Sequence, residues 1–216
     1  GDTARTPYGN KSPELVRRYA VECAEWLVAR GAKFLVVACN TMSAVALDAL
    51  RNRFSVPVFD VVIPTVQEAA RYAVGDKRIG VIGTRATIGS GIYERLITEI
   101  SPDAQIFGAA CPLLVPLVEE GWGTSPETQR IARKYLDPLR AKNISALILG
   151  CTHYPFLAPM IKEYMGRKVA VVDSASATVK YLKGYLDAHP EIVDGLPKGN
   201  RHEWYLTDVA PHHDDL

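Results

Sequence analysis

Short, unbroken apolar runs alternate with amphipathic stretches along almost the whole chain, and that alternation is the strongest constraint on its fold. Phe34–Ala38, Val56–Val61, Arg78–Gly83, Ala104–Ala110, Ala146–Leu149 and Val169–Val172 read as strands. Runs such as FLVVA lack the in–out rhythm of a half-exposed strand, so they fit strands covered on both faces. Helical spacing fills the intervals: Ser12–Arg30, Ser43–Phe54, Thr65–Ala73, Gly89–Ile100, Pro112–Glu120, Ser125–Lys142, Phe156–Met165 and Ser176–Ala188. Ser12-Pro13-Glu14 and Ser125-Pro126-Glu127 are helix starts, Gly31 is a stop, and Pro138 predicts a kink. Strands alternating with helices mean crossover units, hence an α/β fold of mainly parallel sheets flanked by helices. Beyond these elements His189–Asn200 reads as a linker, His202–Thr207 (HEWYLT) as an edge strand, and the final PHHDDL as a frayed tail.

The chain also echoes itself. KFLVVACNT (Lys33–Thr41) parallels SALILGCTH (Ser145–His153), and VPVFDVVIPT (Val56–Thr65) parallels KVAVVDSASAT (Lys168–Thr178). Cys39 precedes Asp60 by 21 residues and Cys151 precedes Asp173 by 22. This describes two related lobes, 1–62 with 172–216 and 63–171, each presenting one cysteine at the carboxyl end of a parallel strand. In open α/β sheets ligands bind at that end, here in the cleft between the lobes.

Composition narrows the function classes. With 25 basic against 24 acidic residues, the chain lacks the basic excess of a nucleic-acid binder. No apolar run is as long as a bilayer span, and GDTARTPYGNKSPE is not read as a secretory signal. Four cysteines without a CxxC pair fit neither a disulfide framework nor a zinc site, so a reducing cytoplasm is expected.

A thiol at a strand-to-helix turn faces backbone N–H groups and the positive end of a helix dipole. That setting predicts a lowered thiol pKa at Cys39 and Cys151. Asn40-Thr41 and Thr152-His153 add hydrogen-bonding groups suited to the polar groups of a small acid. Two opposed thiols suit inversion of a carbon stereocentre, which needs a base on one face and an acid on the other.

GDTARTPYG (Gly1–Gly9), ACNT (Ala38–Thr41), CPLLVPLVEEG (Cys111–Gly121) and GCTHYP (Gly150–Pro155) closely resemble the cofactor-independent glutamate racemases of bacterial cell-wall synthesis, from residue 1 to roughly residue 186. The resemblance implies interconversion of L- and D-glutamate by two-cysteine proton transfer, supplying D-glutamate for peptidoglycan, with no cofactor and no metal. It implies that Cys39 and Cys151 are the acid/base residues, with His153 and Glu119 supporting the Cys151 side. Pro7, Tyr8, Gly9, Asn40, Thr41, Thr152 and His153 would contact substrate. The family carries an earlier strand ending in Asp-Ser-Gly. The sequence is therefore expected to be a piece of a longer chain whose upstream Asp assists Cys39 and whose Ser touches substrate. The implied partner is the small-molecule substrate alone, neither nucleic acid nor membrane, and a homodimer is the default assembly. The alternatives are a racemase for aspartate or another acidic amino acid, a decarboxylase of the same superfamily, and a non-catalytic small-acid binder.

Three other signals read as structural. RIGVIGTRATIGSG (Arg78–Gly91) lacks GxGxxG spacing and reads as a strand–helix turn. Cys23 and Cys111 read as core, and His212-His213-Asp214-Asp215 as a solvated tail.

Overall fold

The computed structural model describes residues 1–72, 77–196, 199 and 202–209. Two parallel sheets organise the chain. The smaller pairs β1 (Leu35–Val37) with β2 (Val58–Asp60). The larger has four strands in the order β4-β3-β5-β6, comprising β3 (Arg78–Gly83), β4 (Gln105–Ala110), β5 (Ala146–Gly150) and β6 (Ala170–Asp173). Every pairing is parallel, as crossover helices require.

The helices around the large sheet are α3 (Val62–Tyr72), α4 (Arg85–Gly89), α5 (Ile92–Ile100), α6 (Leu114–Glu119), α7 (Pro126–Arg140), α8 (Ala158–Met165) and α9 (Ser174–Ala188), with α10 (Pro190–Asp194) packed against α9; α1 (Pro13–Ala29) and α2 (Asn40–Arg53) serve the small one. β5 explains the two-sided arrangement. Successive side chains of a strand point to opposite faces. Leu147 and Leu149 therefore enter a core formed with α6, α7 and α8, while Ile148 enters a second core with α3 and α5. All five residues of β5 are buried, which is why the sequence reads as a continuous apolar run. A third core, from α1, α2 and the small sheet, centres on Ala46, Leu50 and Leu35.

The start signals act as the sequence implies. Ser12 accepts from Leu15 N–H and Ser125 from Thr128 N–H, capping α1 and α7. Gly31 ends the first helix with φ +90°. Other boundaries differ. α2 begins at Asn40, directly after Cys39, and α3 begins at Val62, because Asp60 Oδ1 accepts from Val62 N–H at 2.8 Å and Ile63 N–H at 2.9 Å. Asp173 caps α9 in the same way, so that helix begins at Ser174. The Gly89–Ile100 helix starts at Ile92, after a left-handed Gly91, and α4 precedes it as a separate turn. Tyr154–Leu157 forms a 3₁₀ turn ahead of α8, and α7 runs through Pro138 to Arg140.

Two expectations for the C-terminal region fail. The linker contains α10, started by Pro190. HEWYLT is not a strand. It runs beside residues 1–4, where Thr207 N–H donates to Gly1 O and Ala4 N–H to Thr207 Oγ1, each at 3.0 Å. Its partner there is irregular chain, and a side-chain oxygen replaces part of the ladder. PHHDDL lies outside the described residues.

Leu147 is fully buried at the centre of the large sheet. Leu147→Ala is expected to cost about 2–5 kcal/mol of unfolding free energy by removing core contacts on one face. Urea denaturation checks this, and a loss below about 1 kcal/mol would contradict the two-sided packing.

Candidate active site

The register of the two sheets fixes where the cysteines lie. Val37 pairs with Asp60 in the small sheet, and Leu149 pairs with Asp173 in the large one. In each case the cysteine stands two residues beyond the strand residue that faces the capping aspartate. Cys39 and Cys151 consequently hold equivalent positions at the carboxyl ends of β1 and β5, and both open onto one cavity of about 820 Å³.

Cys39 is half-buried and is the N-cap of α2, with the N–H groups of Thr41 and Met42 directed at its sulfur. Cys151 is buried and receives the N–H groups of His153 and Tyr154. The expected lowering of their pKa does not occur. Burial pushes the Cys39 thiol up, outweighing the N–H groups of Met42 and Thr41. Burial, with the nearby Cys39 and Glu119 charges, pushes Cys151 up to about 12. A helix terminus is worth about 0.3–1 kcal/mol to a charge, whereas burying an ion costs several kcal/mol, so desolvation wins. Both groups are thiols at neutral pH.

The Cys151 side carries a relay. His153 Nδ1 lies 3.8 Å from Cys151 Sγ and 3.3 Å from Thr152 Oγ1, and His153 Nε2 lies 3.1 Å from Glu119 Oε1. The imidazole can take the thiol proton at Nδ1 while the Glu119 carboxylate stabilises the resulting cation. Thr152 and His153 line the cavity.

Pro7, Tyr8 and Gly9 also line the cavity. The Tyr8 hydroxyl donates to Asp2 Oδ2 at 2.6 Å, so the ring and the backbone are what this loop offers a ligand. Gly9 accepts from Ala86 N–H at 3.1 Å, and a Cβ at Gly9 would stand 2.5 Å from Thr84 Cβ. Only glycine fits that approach.

Asn40 is placed differently from the expectation. Its side chain is buried, with Oδ1 accepting from Tyr93 O–H at 2.6 Å and Nδ2 donating to Ser174 Oγ at 3.2 Å. The amide ties α2 to α5 and α9 and is outside the cavity lining. Cys23 also departs from a purely core role: it reaches the cavity wall, with Arg5 Nη2 3.4 Å from its sulfur. Cys111 is fully buried within the core around α6 and α7.

Sequence reading missed Thr84 and Thr87. Thr41 Oγ1 lies 2.9 Å from Thr84 Oγ1 and 3.1 Å from Thr87 Oγ1, and the latter two are 3.0 Å apart. This triangle of hydroxyls joins the start of α2 to the start of α4, and Thr41 and Thr84 line the cavity. The signal was the Gly-Thr that ends β3. Gly83 pairs with Gly150, so Thr84 occupies in β3 the place that Cys151 holds in β5.

The model of the Asp/Glu/Hydantoin racemase family matches residues 2–182. The chain belongs to that family. It is 46% identical to the glutamate racemase of Geobacter metallireducens over 97% of this chain and 77% of the relative, and 48% identical to that of Persephonella marina over 100% and 80%. A solved glutamate racemase from Francisella tularensis, in complex with D-glutamate, superposes with a TM-score of 0.87 at 33% identity, covering 98% of this chain and 78% of the other. The family places the chain among the isomerases, and the mixed α/β fold with helix-flanked parallel sheets is that of the two-lobed glutamate racemase structures.

Thiol labelling tests the electrostatics. Iodoacetamide is expected to modify Cys39 and Cys151 more slowly at neutral pH than an unhindered thiol. Below the thiol pKa the rate should climb about tenfold per pH unit, and for Cys151 it should still be rising past the range where ordinary cysteines level off. Fast neutral labelling followed by an early plateau would show that the N–H donors prevail over burial.

Proposed function

We propose that this chain interconverts L- and D-glutamate, with Cys39 and Cys151 as the two acid/base residues. The observation that carries this reading is the placement of both sulfurs on one cavity at symmetry-equivalent strand ends. A single α-amino acid held between them would present one face of its α-carbon to each sulfur.

The chemistry needs one thiolate and one thiol. The thiolate takes the α-proton, the Cα–H electron pair passes into the carboxylate as an enediolate, and the opposite thiol delivers its own proton to the other face. One turnover exchanges the charge between the cysteines, and the reverse reaction restores it. Both thiols start protonated, so one proton must leave first. On the Cys151 side His153 Nδ1 receives it, with Glu119 behind the imidazole. The hydroxyls of Thr41, Thr84 and Thr152 are donors for the substrate carboxylates, and Pro7, Tyr8 and Gly9 line the same cavity. Asn40 contributes by holding the start of α2 in place.

Glutamate rests on the curated relatives, and the peptidoglycan role follows from it. The small sheet lies wholly within the proposed lobe 1–62 with 172–216 and β3, β4 and β5 within 63–171, while β6 straddles the second boundary. No described helix is long and apolar enough to cross a membrane, and the four cysteines are free thiols, which agrees with a cytoplasmic enzyme. A homodimer is the assembly expected of such an enzyme.

Racemisation in heavy water tests the mechanism. Product enantiomer is expected to gain solvent deuterium at the α-carbon while recovered substrate stays protiated early in the reaction. Cys39→Ala and Cys151→Ala should each lower racemisation in both directions by about 10²–10⁴-fold or more, the usual worth of a positioned acid or base. Near-parent activity in either variant refutes the two-thiol mechanism.

A further inference from the structure

The Asp2 carboxylate is almost completely enclosed, with its side chain only 4% exposed. A buried carboxylate must be paired, and this one is surrounded by donors. Arg5 Nε lies 2.8 Å from Oδ1 and 2.9 Å from Oδ2, Tyr8 O–H lies 2.6 Å from Oδ2, and Thr207 Oγ1 lies 3.0 Å from Oδ1. Arg5 is itself fixed, pairing with Glu22 and lying 4.1 Å from the centre of the Tyr19 ring.

From Asp2 a line of contacts runs into the cavity. Asp2 holds the Tyr8 hydroxyl. Gly9, the next residue, accepts from Ala86 N–H and sits against Thr84 with no room for a Cβ. Thr84 Oγ1 meets Thr41 Oγ1 at 2.9 Å, two residues from Cys39. Gly9 thus leaves no slack between this loop and Thr84, one corner of the hydroxyl triangle.

We propose that Asp2 is a positioning residue: its carboxylate, acting through the Tyr8 hydroxyl, holds the Pro7–Gly9 loop against Thr84 and so sets the part of the substrate-binding wall that this loop forms. The proposal rests on the racemase reading for its effect on turnover, but the anchoring itself is independent of any activity. Burial raises the Asp2 carboxyl, and the hydrogen bonds from Arg5, Tyr8 and Thr207 more than offset that, leaving it below its ordinary value. The anchor is therefore charged across the neutral range.

Asp2→Asn keeps the size of the side chain but replaces one acceptor oxygen with a donor. In the full chain, Asp2→Asn and Tyr8→Phe are each expected to raise KM for glutamate by about tenfold with a smaller change in kcat, since a misplaced wall weakens binding before chemistry. The double variant should be no worse than either single one. Amide hydrogen exchange supplies the second readout: residues 6–10 should exchange at least about threefold faster in each variant while β5 is unchanged. Additive losses in the double variant, or unaltered exchange over residues 6–10, overturn the proposal. Should Asp2→Asn fail to fold, Tyr8→Phe alone decides: the same KM and exchange changes support the anchor, and parent-like behaviour refutes it. If the parent chain does not racemise glutamate, the function reading fails, yet faster exchange at residues 6–10 still upholds the anchor.

Discussion

Parallel strand pairing is the constraint from which the rest follows. Parallel strands joined by crossover helices must all end at the same edge of their sheet, so the residues just beyond β3 and β5 lie side by side, and the residue just beyond β1 of the small sheet opens onto the same cavity. In this chain those residues are Cys39, Thr84 and Cys151, and all three line the same cavity. The apolar pattern therefore does more than form a core. By burying β5 on both faces it leaves no freedom in register, since a slip of one residue would exchange Leu147 and Leu149 with Ile148 between two filled layers.

The same burial that fixes the cysteines also suppresses their ionisation. Helix starts and backbone N–H groups favour a thiolate, and reading them alone predicts reactive cysteines. The enclosure that builds the cavity opposes them and prevails at both positions. A resting pair of thiols suits a reaction that needs one proton on each side, provided one can be removed on demand. The two sides meet that need differently. Cys151 has an imidazole backed by a carboxylate, while the described surroundings of Cys39 offer backbone N–H groups and the Thr41 hydroxyl. Sheet register is duplicated, but the acid/base surroundings are not.

Much of this was legible in the residues. The six strands stand close to where apolar runs put them, but two-sided cover holds for β3 and β5 and not for β1, where Val36 of the FLVVA run is exposed, or for β4, which has no buried residue because it lies at the edge of its sheet. Helix starts were less legible where the cap is a strand-end aspartate, as at Asp60, or a cysteine with no side-chain cap bond, as at Cys39. HEWYLT has the aromatic, β-prone composition of a strand, yet it meets an irregular partner, and propensity cannot report what lies opposite. Among candidate site residues, Cys39, Thr41, Cys151, Thr152, His153 and the Pro7–Gly9 loop come together on one cavity, with Glu119 behind His153. Asn40 looked like a ligand group because it follows a cysteine, but the first turn of a helix points successive side chains in different directions. Its amide turns to Tyr93 and Ser174. Thr84 went unread because a lone Gly-Thr carries little information until strand pairing sets it beside Gly150-Cys151.

The internal echo separates into parts with different physical duties. In each copy the second half ends in an aspartate that caps the following helix. Asp60 accepts from Val62 and Ile63 N–H, and Asp173 from Ala175 and Ser176 N–H. These carboxylates satisfy backbone donors that would otherwise be unpaired at a helix start. Asp60 is buried and also meets Arg51, so its loss would cost the fold of the small sheet before it touched the chemistry. The first half of each copy ends in the cysteine, where the donors belong to the cavity instead. Because Val37 faces Asp60 and Leu149 faces Asp173, the cap and the thiol in each copy are set by one strand pair. In each copy the capping aspartate and the residue two before the cysteine are paired neighbours at the end of one strand pair. A duplicated helix cap thus accompanies a thiol at the equivalent register position in each copy.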